Sequence, residues 1–259
     1  MKRQNIRKAI LLISFLLFPV TMYYLSPYVI IMAGLEGIIS GSFIMFACMF
    51  IASLFFGRAF CGWVCPAGGI MESCVAVNDK RAKGGKRNWI KYFIWVPWII
   101  TIALIFISKG GPKQLDFTYL TQYGISISQP GAYIIYYSVV ALFVILSFVA
   151  GKRAGCHYIC WMAPFMIIGT KMKNKLKYPS LHLESYKANC INCKLCIPKC
   201  PMSLDVNEMV QKGCMDNTEC ILCGECVDTC PKGALRYKFK FNDKKIINQG
   251  FNANNVKKG

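Results

Sequence analysis

Eight cysteines in the last third of the chain restrict what it can fold into more than any other feature. They form two runs with the same spacing, C-x2-C-x2-C-x3-C-P, and each run ends in proline. The first run is Cys190, Cys193, Cys196, Cys200 and Pro201, and the second is Cys220, Cys223, Cys226, Cys230 and Pro231. The two-residue gaps bring three thiols to one side of a tight turn, which is the arrangement that binds a [4Fe–4S] cluster.

The fourth cysteine of each run is expected to reach the cluster of the other run, because the longer gap and the proline direct it away from its own turn. We therefore predict one cluster bound by Cys190, Cys193, Cys196 and Cys230, and a second bound by Cys220, Cys223, Cys226 and Cys200. Structural zinc is the alternative for C-x2-C pairs. Two complete four-cysteine runs, each closed by proline, favour iron–sulfur clusters over zinc.

The first two thirds of the chain are strongly apolar. Hydrophobic residues make up 55% of the 259 residues and are concentrated before residue 170. Their distribution predicts four membrane spans, at about residues 9–24, 38–56, 89–107 and 132–150. A cleaved signal peptide is the competing interpretation of the first span, but no small-residue cleavage site follows it.

The basic residues predict the orientation of these spans. The net charge is +19, and Lys and Arg are concentrated at the N-terminus, at 78–91 and at 152–177, whereas the two opposite loops hold only Lys109 and Lys113. Such a bias places the basic segments and the cysteine runs on the cytoplasmic side. Disulfides are disfavoured on that reducing side. The positions of the charges thus favour a membrane over a nucleic acid as the partner.

A second set of cysteines occurs as an internal repeat. Cys61 and Cys65 form one C-x3-C pair, and Cys156 and Cys160 form another at an offset of 95 residues. On a helix, positions four apart share a face, so the two pairs together offer four thiols to a third centre. Such a centre would be an iron–sulfur cluster, another metal or a thiol redox site, and buried packing thiols are the structural alternative.

An arginine stands three residues before the first cysteine of each pair. These residues, Arg58 and Arg153, are expected to favour the thiolate form and to offset the charge of a cluster.

The stretch Gly57-Arg58-Ala59-Phe60-Cys61-Gly62-Trp63-Val64-Cys65-Pro66, the second C-x3-C pair and the twin ferredoxin runs together resemble the NapH/NosR/CcoG-type membrane polyferredoxins. The resemblance covers residues 1 to about 240. It implies a membrane-anchored iron–sulfur protein that carries electrons for a partner redox system. The chain has no room for the flavin-binding domain of NosR-like members and lacks the C-terminal extension of CcoG-like members, so NapH-like proteins are the closest match.

The predicted fold is an α-helical membrane domain at 1–177, built from two repeated hairpins, followed by an α+β 2[4Fe–4S] ferredoxin-like domain at 178–240. Residues 241–259 are predicted to form a disordered polar tail. The predicted function is electron transfer between a quinol pool or membrane partner and cytoplasmic clusters, in the cytoplasmic membrane. We expect an electron-transfer subunit more than a stand-alone enzyme, because no proton-transfer or nucleophile constellation is visible. The alternatives are a copper reduction or assembly factor and a membrane-tethered redox sensor.

Overall fold

The computed structural model describes residues 2–176 and 178–240, so the predicted polar tail lies outside the described residues. This part of the chain is mainly helical. The helices are α1 (Lys2–Leu16), α2 (Phe18–Thr21), α3 (Pro27–Leu35), α4 (Gly41–Phe56), α5 (Ala59–Trp63), α6 (Pro66–Cys74), α7 (Ile90–Ser108), α8 (Pro130–Ala150), α9 (Ala154–Tyr158), α10 (Ala163–Leu176), α11 (Val206–Gln211) and α12 (Glu225–Thr229). The strands are β1 (Ile38–Ser40), β2 (Gln114–Asp116), β3 (Ser180–Ser185) and β4 (Leu235–Lys240).

Two helical stretches are long and apolar enough to cross a membrane. They run from Arg87 to Ser108, ending with α7, and from Pro130 to Ala150, which is α8; they contain 22 and 21 residues. Both present large apolar side chains outward, including Phe93 on α7 and Ile134 on α8. They coincide with the third and fourth predicted spans.

The helices at the first and second predicted spans are shorter. Helix α1 has 15 residues and ends at Leu16, and α4 has 16 residues. At about 1.5 Å per residue, each is shorter than the roughly 30 Å hydrocarbon core of a bilayer. The first predicted span is divided because Pro19 has no backbone N–H and stands in the first turn of a new short helix, α2. Four membrane-spanning helices therefore remain a prediction.

The helices approach one another closely where glycine removes a side chain. Helix α10 packs along α4, and a Cβ on Gly169 would lie 1.8 Å from Ser53 Oγ. Helix α6 packs along α1, and a Cβ on Gly69 would lie 2.4 Å from the Leu11 carbonyl oxygen. Small residues permit such close helix contacts.

The C-terminal part is built on an antiparallel ribbon of β3 and β4, with Ser180 opposite Lys240 and Ser185 opposite Leu235. Strand β3 also contacts α4. A single hydrophobic core continues from Phe46 and Met166 in the helical part to Leu183 and Leu235 in the ribbon. The ferredoxin-like part is therefore packed directly on the helices.

Candidate metal centres

The first predicted group of cluster ligands surrounds one cavity. Its lining includes Cys190, Cys193 and Cys196 from the first run and Cys230 from the second. Between these cysteines, Asn192 and Lys194 have positive φ angles of 56° and 58°. These left-handed conformations are uncommon in non-glycine residues, and they turn the loop sharply enough for its thiols to share one cavity.

The second predicted group surrounds a separate cavity. It is lined by Cys220, Cys223 and Cys226 from the second run and by Cys200 from the first. Burial raises the pKa of the Cys220 thiol to about 11 and that of Cys223 to about 12. Metal ligation requires thiolates, so binding at this cavity would release protons.

The two cavities differ in their access to solvent. In the first, Cys193 is exposed and the neighbouring Ile191 and Leu195 are 58% and 50% exposed. In the second, Cys200 and Cys223 are buried. The first group therefore lies near the surface, and the second lies in the interior.

The two C-x3-C pairs meet in the protein core. Cys61, Cys65, Cys156 and Cys160 are all buried and belong to the same hydrophobic core. Burial, followed by the nearby thiols of the other three cysteines, raises the pKa of Cys65. The repeat thus brings four thiols close together, as the sequence predicts.

The local geometry of the pairs differs from the expectation of two thiols on one helix. Helices α5 and α9 end at Trp63 and Tyr158, before the second cysteine of each pair. Because Pro66 begins α6, the preceding Cys65 is extended. In both copies the second cysteine still folds back toward the first, since Cys65 N donates to Phe60 O and Cys160 N donates to Gly155 O, each at 3.0 Å.

Among the residues that the structure describes, no three His, Cys, Asp or Glu side chains are arranged to bind a single metal ion. A mononuclear site places its ligands about 2.3 Å from one ion, whereas a cubane spreads four thiolates around a larger object. Each of the three cysteine groups has four thiols, which is the number of thiolates that a cubane takes.

A buried arginine from each repeat stands beside the C-x3-C thiols. Arg153 donates from Nη1 to Cys61 O at 2.6 Å and from Nε to Glu72 at 3.2 Å. Arg58 donates from Nη1 to Glu219 Oε2 at 2.6 Å. Burial alone would lower the pKa of Arg58, but the Cys61 thiol and the Glu219 carboxylate raise it above its usual value. The Arg58 guanidinium is therefore held in its charged form.

The two arginines are not equally satisfied. Within the described part of the chain, the buried Nε and Nη2 of Arg58 have no hydrogen-bond partner. Buried polar groups are nearly always paired, and an unpaired charged donor is costly. These two N–H groups, next to four thiols, are suited to donate to a sulfur atom of a bound cluster.

Both C-x3-C loops contact the second ferredoxin group. Trp63 Nε1 donates to Leu222 O at 3.0 Å, and a Cβ on Gly62 would lie 2.2 Å from Ile221 O. In the other repeat, His157 Nε2 lies 3.1 Å from the carbonyl oxygen of Met202. Sequence reasoning missed these contacts, because no local pattern links residues so far apart. The loops that carry the C-x3-C pairs therefore pack on residues beside the interior ferredoxin cavity.

An apolar cavity of about 210 Å³ has Cys160, one of the C-x3-C cysteines, in its wall. Cys160 and Trp161 form part of its wall, together with Phe18 of α2 and Val139 of α8. Trp161 Nε1 donates to Leu25 O at 3.0 Å, so its ring is fixed in position. The cavity offers an apolar molecule a place beside Cys160.

Two families of 4Fe–4S domain match this chain. A 4Fe–4S dicluster domain matches residues 189–235, which contain both ferredoxin runs. A 4Fe–4S binding domain matches residues 39–76 and again residues 134–179, each with one C-x3-C pair. These matches begin 95 residues apart, at the offset that separates Cys61 from Cys156.

Several relatives align over most of the chain. The uncharacterized protein MJ0749 of Methanocaldococcus jannaschii is 30% identical over 73% of this chain and 68% of its own length. MJ0750 of the same organism is 28% identical over 74% of this chain and 76% of its own length. YccM of Escherichia coli (strain K12), whose name describes an electron transport protein, is 22% identical over 79% of this chain and 57% of its own length.

No solved structure matches the chain. The 4Fe–4S domains and relatives such as YccM support a role in iron–sulfur electron transfer. They do not distinguish NapH-like proteins from other polyferredoxins, so that finer assignment stays a prediction. The identity and coverage of the alignment with MJ0749 show that the chain belongs to the same protein family as MJ0749.

Proposed function

We propose that this protein is a membrane-anchored electron relay with three iron–sulfur centres. One observation carries the proposal: both C-x3-C loops contact the interior ferredoxin group, through Trp63 and through His157. Electrons would pass between a donor or acceptor in the membrane and the cytoplasmic clusters. The NapH-like resemblance and the electron transport relative support this function.

The residues present fit the clusters. Each ferredoxin cavity offers four cysteines, and the C-x3-C group offers four more beside the unpaired N–H groups of Arg58. When bound, iron–sulfur clusters supply one-electron transfer. The surrounding cysteines would hold the clusters, the arginines would offset their charge, and the apolar side chains would limit water at the buried groups; these properties set reduction potentials.

The arrangement favours a fixed order of centres. The C-x3-C group, which we propose binds the third centre, contacts the interior group that contains Cys223. The surface group, which contains the exposed Cys193, comes last. Electrons would therefore enter or leave the cytoplasmic end through the surface group.

A lipid-soluble carrier such as quinol is the proposed partner at the membrane end. The cavity beside Cys160 is apolar, and Phe18 and Val139 form two of its walls. The apolar outer faces of α7 and α8 support membrane anchoring, and the positions of Lys and Arg support a cytoplasmic location for the ferredoxin-like part.

The proposed third centre is tested by electron delivery in the full chain embedded in lipid nanodiscs. Cys61→Ser and Cys156→Ser, singly and together, should each abolish most reduction of the ferredoxin clusters by a membrane reductant. Their effects should not add, because all four thiols serve one centre. Cys48→Ser is the matched control, since Cys48 lies on α4 outside the three groups. Near-normal electron delivery in the double variant, with the ferredoxin clusters intact, would show that the C-x3-C cysteines are packing residues and not ligands.

A second candidate function is copper handling at the same thiols. Cys61 Sγ lies 3.8 Å from the thioether sulfur of Met166, and soft thiolate and thioether ligands suit Cu(I). Anaerobic Cu(I) titration of cluster-loaded protein against a chelator separates the two functions. Tight binding of a copper ion that is lost in Met166→Leu would favour copper handling. If a cluster already occupies the thiols, the titration should show no such tight copper site.

A further inference from the structure

The surface around the first ferredoxin group is basic and partly apolar. Ile191, Cys193 and Leu195 are exposed in the loop that lines this cavity. Lys194 and Lys232 also line the cavity, and both side chains are exposed. We name these five residues the exit face.

The chain segments at the exit face carry positive charges only. Residues 186–204 and 229–240 contain no Asp or Glu, although they include Lys187, Lys194, Lys199 and Lys232. Within the part of the chain that the structure describes, none of these four lysines forms an ion pair. The charges of Lys194 and Lys232, which line the cavity, are therefore available to an outside partner, whereas Lys199 lies in a separate pocket with Asp79 and Glu225.

The carboxylates that follow the first of these segments already have partners within the chain. Asp205 accepts a hydrogen bond from Glu208 N at the start of α11, and Glu208 pairs with Lys212. The charge of Glu208 is therefore offset by Lys212.

The loop at this face has its own support within the ferredoxin-like part. Gln211 Nε2 lies 3.4 Å from Cys190 Sγ, and Asn207 Nδ2 donates to Asn192 Oδ1 at 2.7 Å. Hydrogen bonds to the helical part are made at other residues, among them Pro198, Met202, Ser203 and Leu222. Ile191, Cys193, Lys194, Leu195 and Lys232 are all exposed, so the exit face is not covered by the helical part.

We propose that the exit face docks an acidic one-electron carrier protein, and this proposal rests on the electron relay proposed above. The exposed Cys193 marks where the cluster comes nearest to solvent, Ile191 and Leu195 provide a small apolar contact, and the lysines select a negatively charged partner. One electron crosses the interface: the donor centre is oxidised as the acceptor centre is reduced, and no bond forms or breaks. Complementary charge of this kind mainly accelerates association.

Flavodoxin, an acidic one-electron carrier, is a suitable probe, with basic cytochrome c for comparison. With the full chain in nanodiscs of neutral lipid, electron exchange with flavodoxin should slow as salt is added, because the attraction is screened. Lys194→Glu combined with Lys232→Glu should slow it by about tenfold at low salt. The same variant should react faster than the wild type with cytochrome c, because the introduced glutamates attract a basic partner.

Lys175→Glu is the matched control, because Lys175 is exposed on α10 in the helical part and carries the same charge. It should leave the flavodoxin rate unchanged. A flavodoxin rate that depends neither on salt nor on Lys194 and Lys232 would overturn the proposal.

Spectroscopic titration of the same samples separates this proposal from the relay itself. If dithionite reduces the clusters normally in the Lys194 and Lys232 variant but the flavodoxin rate is unchanged, the docking proposal fails and the electron relay does not. If wild-type protein holds no reducible cluster, the proposed relay has failed.

Discussion

Arg58 donates a 2.6 Å hydrogen bond to Glu219, and this ion pair joins the first C-x3-C loop to the residue just before Cys220. Lys91 at the start of α7 donates to the other oxygen of the same carboxylate, also at 2.6 Å. Both cations are fully buried. A single carboxylate therefore fixes the ferredoxin run to two elements of the helical part.

Removing this carboxylate should loosen the junction. Glu219→Gln leaves Arg58 and Lys91 without their anionic partner, and breaking a buried pair costs about 3–5 kcal/mol. We expect a lower thermal midpoint and faster loss of cluster absorbance. Glu208→Gln is the control, because its pair with Lys212 is exposed and screened by water and therefore contributes little to stability. Equal stability of the two variants would show that the buried pair does not support the junction.

The close contact at Gly62 should be sensitive to a single methyl group. Gly62→Ala would place a Cβ 2.2 Å from the Ile221 carbonyl oxygen, so one of the two loops must move. Such overpacking costs about 1–3 kcal/mol. We expect weaker magnetic coupling between the C-x3-C centre and the neighbouring ferredoxin cluster in electron paramagnetic resonance spectra.

Gly131→Ala provides the comparison, since a Cβ at Gly131 meets no atom within 4 Å. Wild-type stability and wild-type coupling in Gly62→Ala would contradict the contact between the loops.

The unpaired N–H groups of Arg58 should tune the proposed third centre. Arg58→Lys keeps the charge but removes the planar donors, and hydrogen bonds to cluster sulfur raise its reduction potential. A net hydrogen-bond energy of about 0.5–1.5 kcal/mol corresponds to a fall of about 20–60 mV for each bond lost. A redox titration monitored by paramagnetic resonance measures this shift, and the ferredoxin clusters in the same sample serve as the internal reference. An unchanged potential in a stably folded variant would show that Arg58 donates to no cluster.

The proposed topology predicts the behaviour of reporter fusions. A fusion after Lys83 should report as cytoplasmic, because the basic residues of 78–91 keep this loop on the cytoplasmic side. A fusion at Lys113 should report as external. A ferredoxin-like part that is accessible from outside intact cells would overturn the orientation.

Ligand spacing is a local property and can be read from the sequence, so the predicted cysteine groups can be compared with the cavities, whereas cluster binding by these groups stays a prediction. The gaps in the two ferredoxin runs match the lining of the two cavities, in which Cys230 lies with the first run and Cys200 with the second. The repeat at an offset of 95 residues matches the presence of both C-x3-C pairs in one core. The ends of the helices are less predictable. The short α1 and the end of α5 before Cys65 depend on proline positions within apolar stretches that otherwise look continuous.

The junction between the parts could not be predicted from local patterns. Glu219 and Glu72 look like ordinary surface carboxylates in the sequence, and only the fold brings them to Arg58 and Arg153. The packing of Gly62 on Ile221 is likewise a long-range contact. Which cysteine groups are neighbours therefore follows from tertiary structure and not from ligand spacing.

The iron content of the anaerobically purified full chain tests the central claim most directly. Three clusters predict about 12 iron atoms and about 12 sulfides per chain in the wild type. Replacing Cys61 and Cys156 by Ser should lower both values to about eight, while the signals of the two ferredoxin clusters persist. About eight iron atoms in both proteins, with identical spectra, would contradict the claim that the C-x3-C pairs hold a centre of the relay.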